Sequence, residues 1–373
     1  MSFAVRLLQL LLAFLAVQLT LKFFGEDLYI QLNKVIFVYL VSLSLVQPIL
    51  NAVWKGEASL VEDVVISLTV AVIVSAFSNL EIQLVLLSIV YSWSRMLERY
   101  AYCSLLSSNR FYVGQFLVVF LHFFEIILII GILYGGLKEE QQLFYRVFFA
   151  AAIFFIPSII FAFFFKKSSR VSFRFFFRLK KLAPQLDVLV YFFAAILILN
   201  IDRLFVQNIK HNAASFLFSL SVAGAIFGLA SVKIDKLKSN IASGRGFSAG
   251  IPVGVFLLFN LFGFSYWIGL NYILFFREFF GLSKLPLDSV LSVFFICGSV
   301  FVFMYISTPK LILSSVKLPA LILMIFFVIK VLMIFFLDVS AANYVVGACL
   351  LIASFLGRKS EHKLKNMIKI KDK

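Results

Sequence analysis

The sequence alternates between long apolar runs and short polar breaks from one end to the other. Each run has roughly 20 residues, the length that an α-helix needs to cross the hydrocarbon core of a bilayer. The pattern therefore predicts an all-α, polytopic membrane protein with twelve transmembrane helices. The predicted spans are Val5–Phe24, Leu28–Val53, Leu60–Phe77, Ile82–Leu106, Tyr112–Tyr134, Leu143–Phe165, Gln185–Val206, Ala214–Val232, Ile251–Leu274, Ser289–Ile306, Leu318–Leu337 and Ala341–Leu356.

Lys and Arg residues collect in alternate breaks between these runs. With the N-terminus placed inside, 25 of them fall on the inner side and 8 on the outer side, while Lys330 lies within a span. Because cytoplasmic loops carry an excess of basic residues, this asymmetry predicts that both termini are cytoplasmic.

The densest basic break, FKKSSRVSFRFFFRLKK, lies between the sixth and seventh spans. We predict that it divides the chain into an N-terminal six-helix bundle (1–165), a basic cytoplasmic linker (166–183), a C-terminal six-helix bundle (184–357) and a basic cytoplasmic tail (358–373). The interleaved Phe residues would suit an amphipathic helix on an anionic leaflet. A plain cytoplasmic linker explains the basic residues as well.

The composition excludes a soluble domain and narrows the possible partners. The chain is 62% hydrophobic and 14% charged, whereas a globular domain is roughly 45–50% apolar. The net charge of +16 comes from the loops, so no nucleic-acid partner is expected. Cys103, Cys297 and Cys349 lack metal-ligand spacing, and neither a metal nor a cofactor is expected. Without a phosphate-binding glycine loop or a set of catalytic side chains in its short breaks, the chain is not expected to be an enzyme.

Three stretches resemble polysaccharide-type (O-antigen) flippases of the multidrug/oligosaccharidyl-lipid/polysaccharide (MOP) exporter superfamily. The first, LKFFGEDLYIQLNKVIFVYLVSL, resembles the end of their first span and the start of the second. The second, SRMLERYAYCSLLSSNRFYVGQFL, resembles the exit of the fourth span. The third, NIDRLFVQNIKHNAASFLFSLSVAGAIFGL, resembles the seventh span and its crossing to the eighth, including an Asp-Arg pair.

The resemblance implies two six-helix bundles around a central cavity. It also implies a transporter that flips a polyisoprenyl-diphosphate-linked oligosaccharide across the bacterial inner membrane by alternating access. The implied partners are that undecaprenyl-diphosphate-type lipid, membrane lipids, a polysaccharide polymerase and a chain-length regulator. The alternatives are a superfamily exporter of a lipid-linked peptidoglycan precursor or of drugs, and a membrane polysaccharide polymerase. An exporter of cationic drugs would need acidic cavity residues, and a polymerase would need a long outer loop.

The seventh span ends at a polar group formed by Asn200, Asp202 and Arg203. Charges at membrane depth are costly and are usually kept for function or for pairing. We predict that Arg203 and Asn200 bind substrate in the cavity. Asp202 is then a coupling candidate that pairs with a basic residue of another span. A structural ion pair that fixes the span remains an equal alternative.

The other cations placed in the cavity are Arg95, Arg99, Arg146 and Lys330. Guanidinium groups match the oxygens of a diphosphate, although Glu98 can neutralise one neighbouring arginine. At the membrane interface, the same arginines would only extend to the head groups. Lys330 is isolated in an apolar run, so it either faces a wet cavity or becomes neutral.

His122 and Glu125 are three residues apart, which places them on one face of the fifth span. A titratable pair inside an apolar run is a candidate for proton coupling. A hydrogen-bonded pair that locks two helices together is the open alternative.

Overall fold

The computed structural model describes residues 2–53, 57–78, 82–107, 111–135, 146–153, 170–172, 186–205, 212–242, 250–313 and 316–371. Within these ranges the chain is almost entirely α-helical. The N-terminal half contributes α1 (Ser2–Phe24), α2 (Glu26–Val53), α3 (Leu60–Ser78), α4 (Ile82–Ser107), α5 (Phe111–Tyr134) and α6 (146–153). The C-terminal half contributes α7 (Leu186–Asn200), α8 (Asp202–Phe205), α9 (Ala213–Ala242), α10 (Gly250–Tyr272), α11 (Leu274–Phe280), α12 (Leu287–Leu313), α13 (Lys317–Phe336) and α14 (Val339–Lys371).

The helices follow the predicted spans closely, because a backbone in lipid must satisfy its hydrogen bonds within each segment. Seven helices of the described chain are long and apolar enough to cross a membrane, and shorter apolar helices accompany them. The sixth predicted span is represented by α6, and its other residues lie outside the described ranges. Beyond the last predicted span, α14 continues as a helix through the predicted basic tail to Lys371.

One short strand pair interrupts the helical pattern. β1 (Glu57–Ser59) and β2 (Arg170–Ser172) pair in parallel, with Ala58 opposite Val171. β2 belongs to the predicted linker (166–183), and the rest of that linker lies outside the described residues. The boundaries of the two bundles therefore stay a prediction.

The two halves have separate cores and share a third. One buried cluster joins α2, α4 and α6 within the N-terminal half, and another joins α7, α12, α13 and α14 within the C-terminal half. The largest cluster bridges the halves, where α2 packs against α7 and α1 packs against α9. The halves therefore meet mainly through α1 and α2, and α3 also contributes to the shared cluster.

Large apolar side chains cover the outside of both halves. Phe116 and Phe123 on α5 are exposed, and so are Leu257, Leu261 and Phe262 on α10. Contiguous apolar surface of this kind is rare on soluble monomers and suits contact with lipid. Together with the apolar helices, it identifies the chain as a multi-pass membrane protein.

Candidate functional site

A cavity of about 380 Å³ lies between the two halves. Its wall combines α1 and α2 of the N-terminal half with α7, α8, α9 and α12 of the C-terminal half. Most of the wall is apolar, and its polar side chains come from both halves. They are Gln18, Asn200, Arg203 and Ser221. The cavity is thus mainly apolar, with a few polar groups that can orient a ligand, and these groups give it the name polar cavity.

The break between α7 and α8 places two adjacent charges on opposite sides. The Ile201 N–H donates to the Leu197 carbonyl at 2.8 Å, which is the last helical bond of α7. Ile201 then forms a turn, and the short helix α8 begins at the next residue. After this turn Asp202 reaches into the C-terminal half, and Arg203 reaches toward the N-terminal half. The two adjacent side chains therefore diverge into different halves of the protein.

Asp202 forms a fully buried ion pair with Lys330 of α13, with Oδ1 lying 2.8 Å from Nζ. Asn343 of α14 donates to the other carboxylate oxygen at 3.1 Å, and Lys330 also donates to the carbonyl of Ile198 at 2.6 Å. Lys330 is therefore paired rather than isolated, and it does not line the 380 Å³ cavity. Its predicted role in substrate binding stays a prediction.

Arg203 lines the cavity, and within the described ranges its hydrogen bonds go to amide oxygens. Its Nη1 donates to Oδ1 of Asn33 on α2, and its Nε donates to Oδ1 of Asn200 at 3.2 Å. Within the described part of the chain, no carboxylate lies within ion-pair distance of its guanidinium. The cavity therefore carries a positive charge that the surrounding protein does not neutralise by a direct pair.

The N-terminal half contains a second buried charge network. Glu125 of α5 lies between Arg146 of α6, at 3.0 Å, and Nδ1 of His122, at 3.3 Å. Arg146 also donates to the Thr20 hydroxyl at 3.1 Å and to the Ala16 carbonyl at 3.2 Å, both on α1. The predicted shared face of His122 and Glu125 is present, and the network ties α1, α5 and α6 together. Neither proton coupling nor substrate binding by these residues is tested by their placement.

Of the two arginines predicted to bind substrate from the fourth span, the structure describes the side chain of Arg95 but not that of Arg99. Arg95 pairs with Glu98 at 2.9 Å, and its guanidinium lies 5.6 Å from the centre of the Tyr39 ring. Neither residue lines the cavity between the halves. The side chain of Arg99 lies outside the described residues, so its predicted role also stays a prediction.

The structure adds uncharged residues that the sequence analysis did not select. Gln18 lines the cavity, Tyr29 and Asn33 connect it to Arg203, and Asn343 holds Asp202. Each is a polar residue inside an apolar run, and Tyr29 and Asn33 have the four-residue spacing of one helix face. That signal was available, but serine also occurs on these helices without lining the cavity, as Ser42 and Ser44 of α2 show.

A second cavity, of about 610 Å³, lies behind the same helices. Its lining is apolar apart from Thr69 and comes from α2, α3, α7, α8 and α13. On α2, Ile36 faces the polar cavity and Phe37 faces the apolar one; on α7, Ile196 and Leu197 divide in the same way. The helices α2 and α7 therefore form a wall with a polar chamber on one side and a hydrocarbon-like chamber on the other.

No grouping of His, Cys, Asp and Glu suited to a metal ion occurs among the residues that the structure describes. The polar groups of the cavity are instead one guanidinium, two amides, one hydroxyl and the Cys297 thiol. Such groups bind and orient a polar ligand by hydrogen bonds and charge.

The fold is similar to that of solved transporters. A MOP superfamily transporter from Pyrococcus furiosus matches with a TM-score of 0.55 and 11% identity, over 98% of this chain and 95% of that chain. In that transporter, the reverse polarity of the binding pocket suggests a different function. A mutant MATE protein matches with a TM-score of 0.51 and 12% identity, covering 98% of this chain and 95% of that chain.

A MATE protein in the straight conformation matches with a TM-score of 0.50 and 13% identity, over 98% of this chain and 94% of that chain. No protein-family model matches the sequence, and no curated protein matches it. The chain thus has the fold of MOP superfamily transporters, and the predicted two-bundle, all-α architecture is confirmed.

Proposed function

We propose that this chain is an exporter that flips a polyisoprenyl-diphosphate-linked oligosaccharide across the bacterial inner membrane. The observation that carries the proposal is Arg203, a buried cation that lines the cavity between the halves without a carboxylate at ion-pair distance among the described residues. Lys330, Arg146 and Arg95, in contrast, each pair with a carboxylate. A buried charge without a protein counter-ion favours an anionic ligand.

The two cavities suit the two parts of such a lipid. The diphosphate and the first sugars would occupy the polar cavity, and the isoprenoid chain would lie on the apolar side of α2 and α7. The volumes of about 380 and 610 Å³ are within the range of ligand pockets, roughly 300–1,000 Å³. Alternate opening of the two membrane faces would then carry the head group across while the chain stays in hydrocarbon.

The remaining predicted residues have supporting roles in this proposal. Asp202, His122 and Glu125 are the coupling candidates, and each lies in a buried charge network rather than at a free position. A change in charge at either network would bias the transport direction, since one elementary charge moved across the membrane is worth about 2.3 kcal/mol per 100 mV. Both termini would be cytoplasmic, and a polymerase and a chain-length regulator would use the exported lipid.

The cavity charge separates this function from the export of cationic drugs, which Arg203 would repel. A lipid-linked peptidoglycan precursor carries the same diphosphate as a lipid-linked oligosaccharide, and the two substrates differ in their sugars. The chain would act as a transporter and not as an enzyme, as the fold similarity to transporters favours.

The test is a flipping assay in proteoliposomes with a fluorescent polyisoprenyl-diphosphate disaccharide, in which an impermeant reductant bleaches only the outer leaflet. We expect wild-type protein and Arg277→Gln to expose the labelled lipid from the inner leaflet, whereas Arg203→Gln loses most of the activity. Arg277 lies on α11 and does not line the polar cavity, so its variant controls for the loss of one positive charge. Equal flipping by wild type, Arg203→Gln and empty liposomes would refute the proposal.

A further inference from the structure

The amide of Gln18 is buried in the cavity wall with its two ends in different environments. Gln18 is fully buried on α1, and its Oε1 accepts a hydrogen bond from the Tyr29 hydroxyl at 2.8 Å. Its Nε2 has no hydrogen-bond partner within the described ranges. A buried donor without a protein partner is uncommon and calls for an explanation, such as a bound water, an ion or a ligand.

Hydrogen bonds link the residues around this amide to Arg203. Arg203 donates to Oδ1 of Asn33, and Nδ2 of Asn33 donates to the Tyr29 carbonyl at 2.9 Å. The Tyr29 hydroxyl, fully buried, then donates to Gln18. Because Oε1 accepts from the Tyr29 hydroxyl, Nε2 is the end of the amide that is left for a ligand, and Tyr29 acts as its positioning residue.

Arg203 and Gln18 thus offer N–H donors to one cavity from opposite halves of the protein. Arg203 belongs to α8 and Gln18 to α1, and both line the 380 Å³ chamber. The acceptor oxygens near Arg203 already have hydrogen-bond donors, because Oδ1 of Asn33 and Oδ1 of Asn200 both accept from Arg203. A site with a positive charge and an unpaired amide donor favours an anion with several acceptor oxygens over a cation or a hydrocarbon.

We infer that Gln18 and Arg203 together bind one phosphoryl group, with Gln18 supplying a neutral hydrogen bond and Arg203 the charge. The inference rests on the proposed function and adds Gln18 and Tyr29 to its site. A phosphoryl group held in this way contacts α1 and α8 at once, so the ligand links the two halves that must move relative to each other during transport. Lipid-bound and free diphosphate share the recognised chemistry.

The experiment measures binding to the purified full-length protein in detergent by titration calorimetry. The probes are farnesyl diphosphate, inorganic diphosphate and farnesol. The variants are Gln18→Glu, which replaces the donor by an acidic acceptor of the same shape, Gln18→Met, Tyr29→Phe and Arg203→Gln. Gln83→Glu is the matched control, because Gln83 is exposed on α4 and does not line the cavity.

We expect Gln18→Glu to weaken farnesyl diphosphate binding at least tenfold, and Gln18→Met and Tyr29→Phe to weaken it several-fold. Gln83→Glu should bind as wild type, and farnesol should bind without dependence on Gln18. Inorganic diphosphate with the same dependence would show that the site recognises the free anion too. Binding of farnesyl diphosphate only would show that the lipid is required. Either result supports the inference.

Each failure has a separate meaning. If both Gln18 variants and Tyr29→Phe bind farnesyl diphosphate as tightly as wild type while Arg203→Gln does not, the inference about Gln18 is overturned and the proposed function stands. If Arg203→Gln also binds as wild type, or wild type binds no diphosphate, the proposed function falls with it. Tyr29→Phe removes one hydroxyl only, so it provides the test if the Gln18 variants elute as aggregates.

Discussion

The ammonium group of Lys330 lies 2.8 Å from the carboxylate of Asp202, and both side chains are fully buried. The two residues come from α13 and α8, and Asn343 of α14 holds the same carboxylate. The pair fixes Asp202 inside the C-terminal half. The next residue, Arg203, is thereby directed toward the cavity and toward Asn33. A buried pair of this kind contributes to the geometry of the site, although neither of its residues lines the 380 Å³ cavity.

We predict that breaking this pair from one side destabilises the protein. Lys330→Met should leave the Asp202 charge buried without its partner, at a cost of about 3–5 kcal/mol. The double variant Asp202→Asn, Lys330→Met should recover much of that loss, because it removes both charges. The measurement is unfolding in mixed detergent micelles. Equal destabilisation by the single and double variants would contradict the assignment of an ion pair.

The N-terminal network predicts a difference between two neighbouring residues. Glu125→Gln should destabilise the protein by about 3 kcal/mol or more, because it leaves the Arg146 guanidinium buried without its carboxylate. His122→Asn should cost only about 1 kcal/mol, since the bond between Glu125 and Arg146 remains. Thermal unfolding in detergent measures both. A larger effect of His122→Asn would show that the histidine, not the arginine, is the main partner of Glu125.

Replacing either of two glycines of α10 by alanine should have different effects on stability. A Cβ on Gly263 would lie 2.9 Å from Cβ of Phe294 on α12, whereas a Cβ on Gly254 would meet nothing within 4 Å. Gly263→Ala should therefore destabilise the protein by about 1–3 kcal/mol through overpacking. Gly254→Ala, the control on the same helix, should be neutral or slightly stabilising because alanine favours the helix. Similar midpoints of thermal unfolding for the two variants would argue against close packing of α10 on α12.

Cys297 provides a probe of the cavity, because its buried thiol lines the wall beside Arg203. In a protein with Cys103 and Cys349 replaced by Ser, Asn33→Ala should raise the rate at which a maleimide labels Cys297 several-fold. The reason is that Asn33 forms a hydrogen bond with Arg203 across the two halves, and its loss favours their separation. Mass spectrometry over a time course follows the labelling.

Asn260→Ala is the control for that experiment, since the Asn260 amide bonds only to the Phe256 carbonyl of its own helix among the contacts described. It should leave the labelling rate at the wild-type value. If both variants accelerate labelling equally, the change reflects general loosening. If neither does, the bond between Arg203 and Asn33 does not restrain the halves.

The site was predictable in part, as particular residues show. Arg203 and Asn200 were found because charged and amide groups at membrane depth are costly, and they do line the cavity. Lys330 carries the same signal but lies in a buried pair. The sequence could not distinguish a cavity-lining cation from a paired one. The free-energy cost of burying a charge can be offset either by a carboxylate on another helix or by water in a cavity.

The apolar periodicity alone determined the helices and the membrane class, because each span must satisfy its own backbone in lipid whatever its neighbours are. Only the tertiary packing decided which half of the protein each polar side chain contacts. Asp202 and Arg203 are adjacent, yet the turn at Ile201 and the placement of α13 and α2 direct them to partners more than a hundred residues away. Contacts at such separations depend on how the helices pack against each other, and the pattern of apolar and polar residues along the chain does not predict that packing.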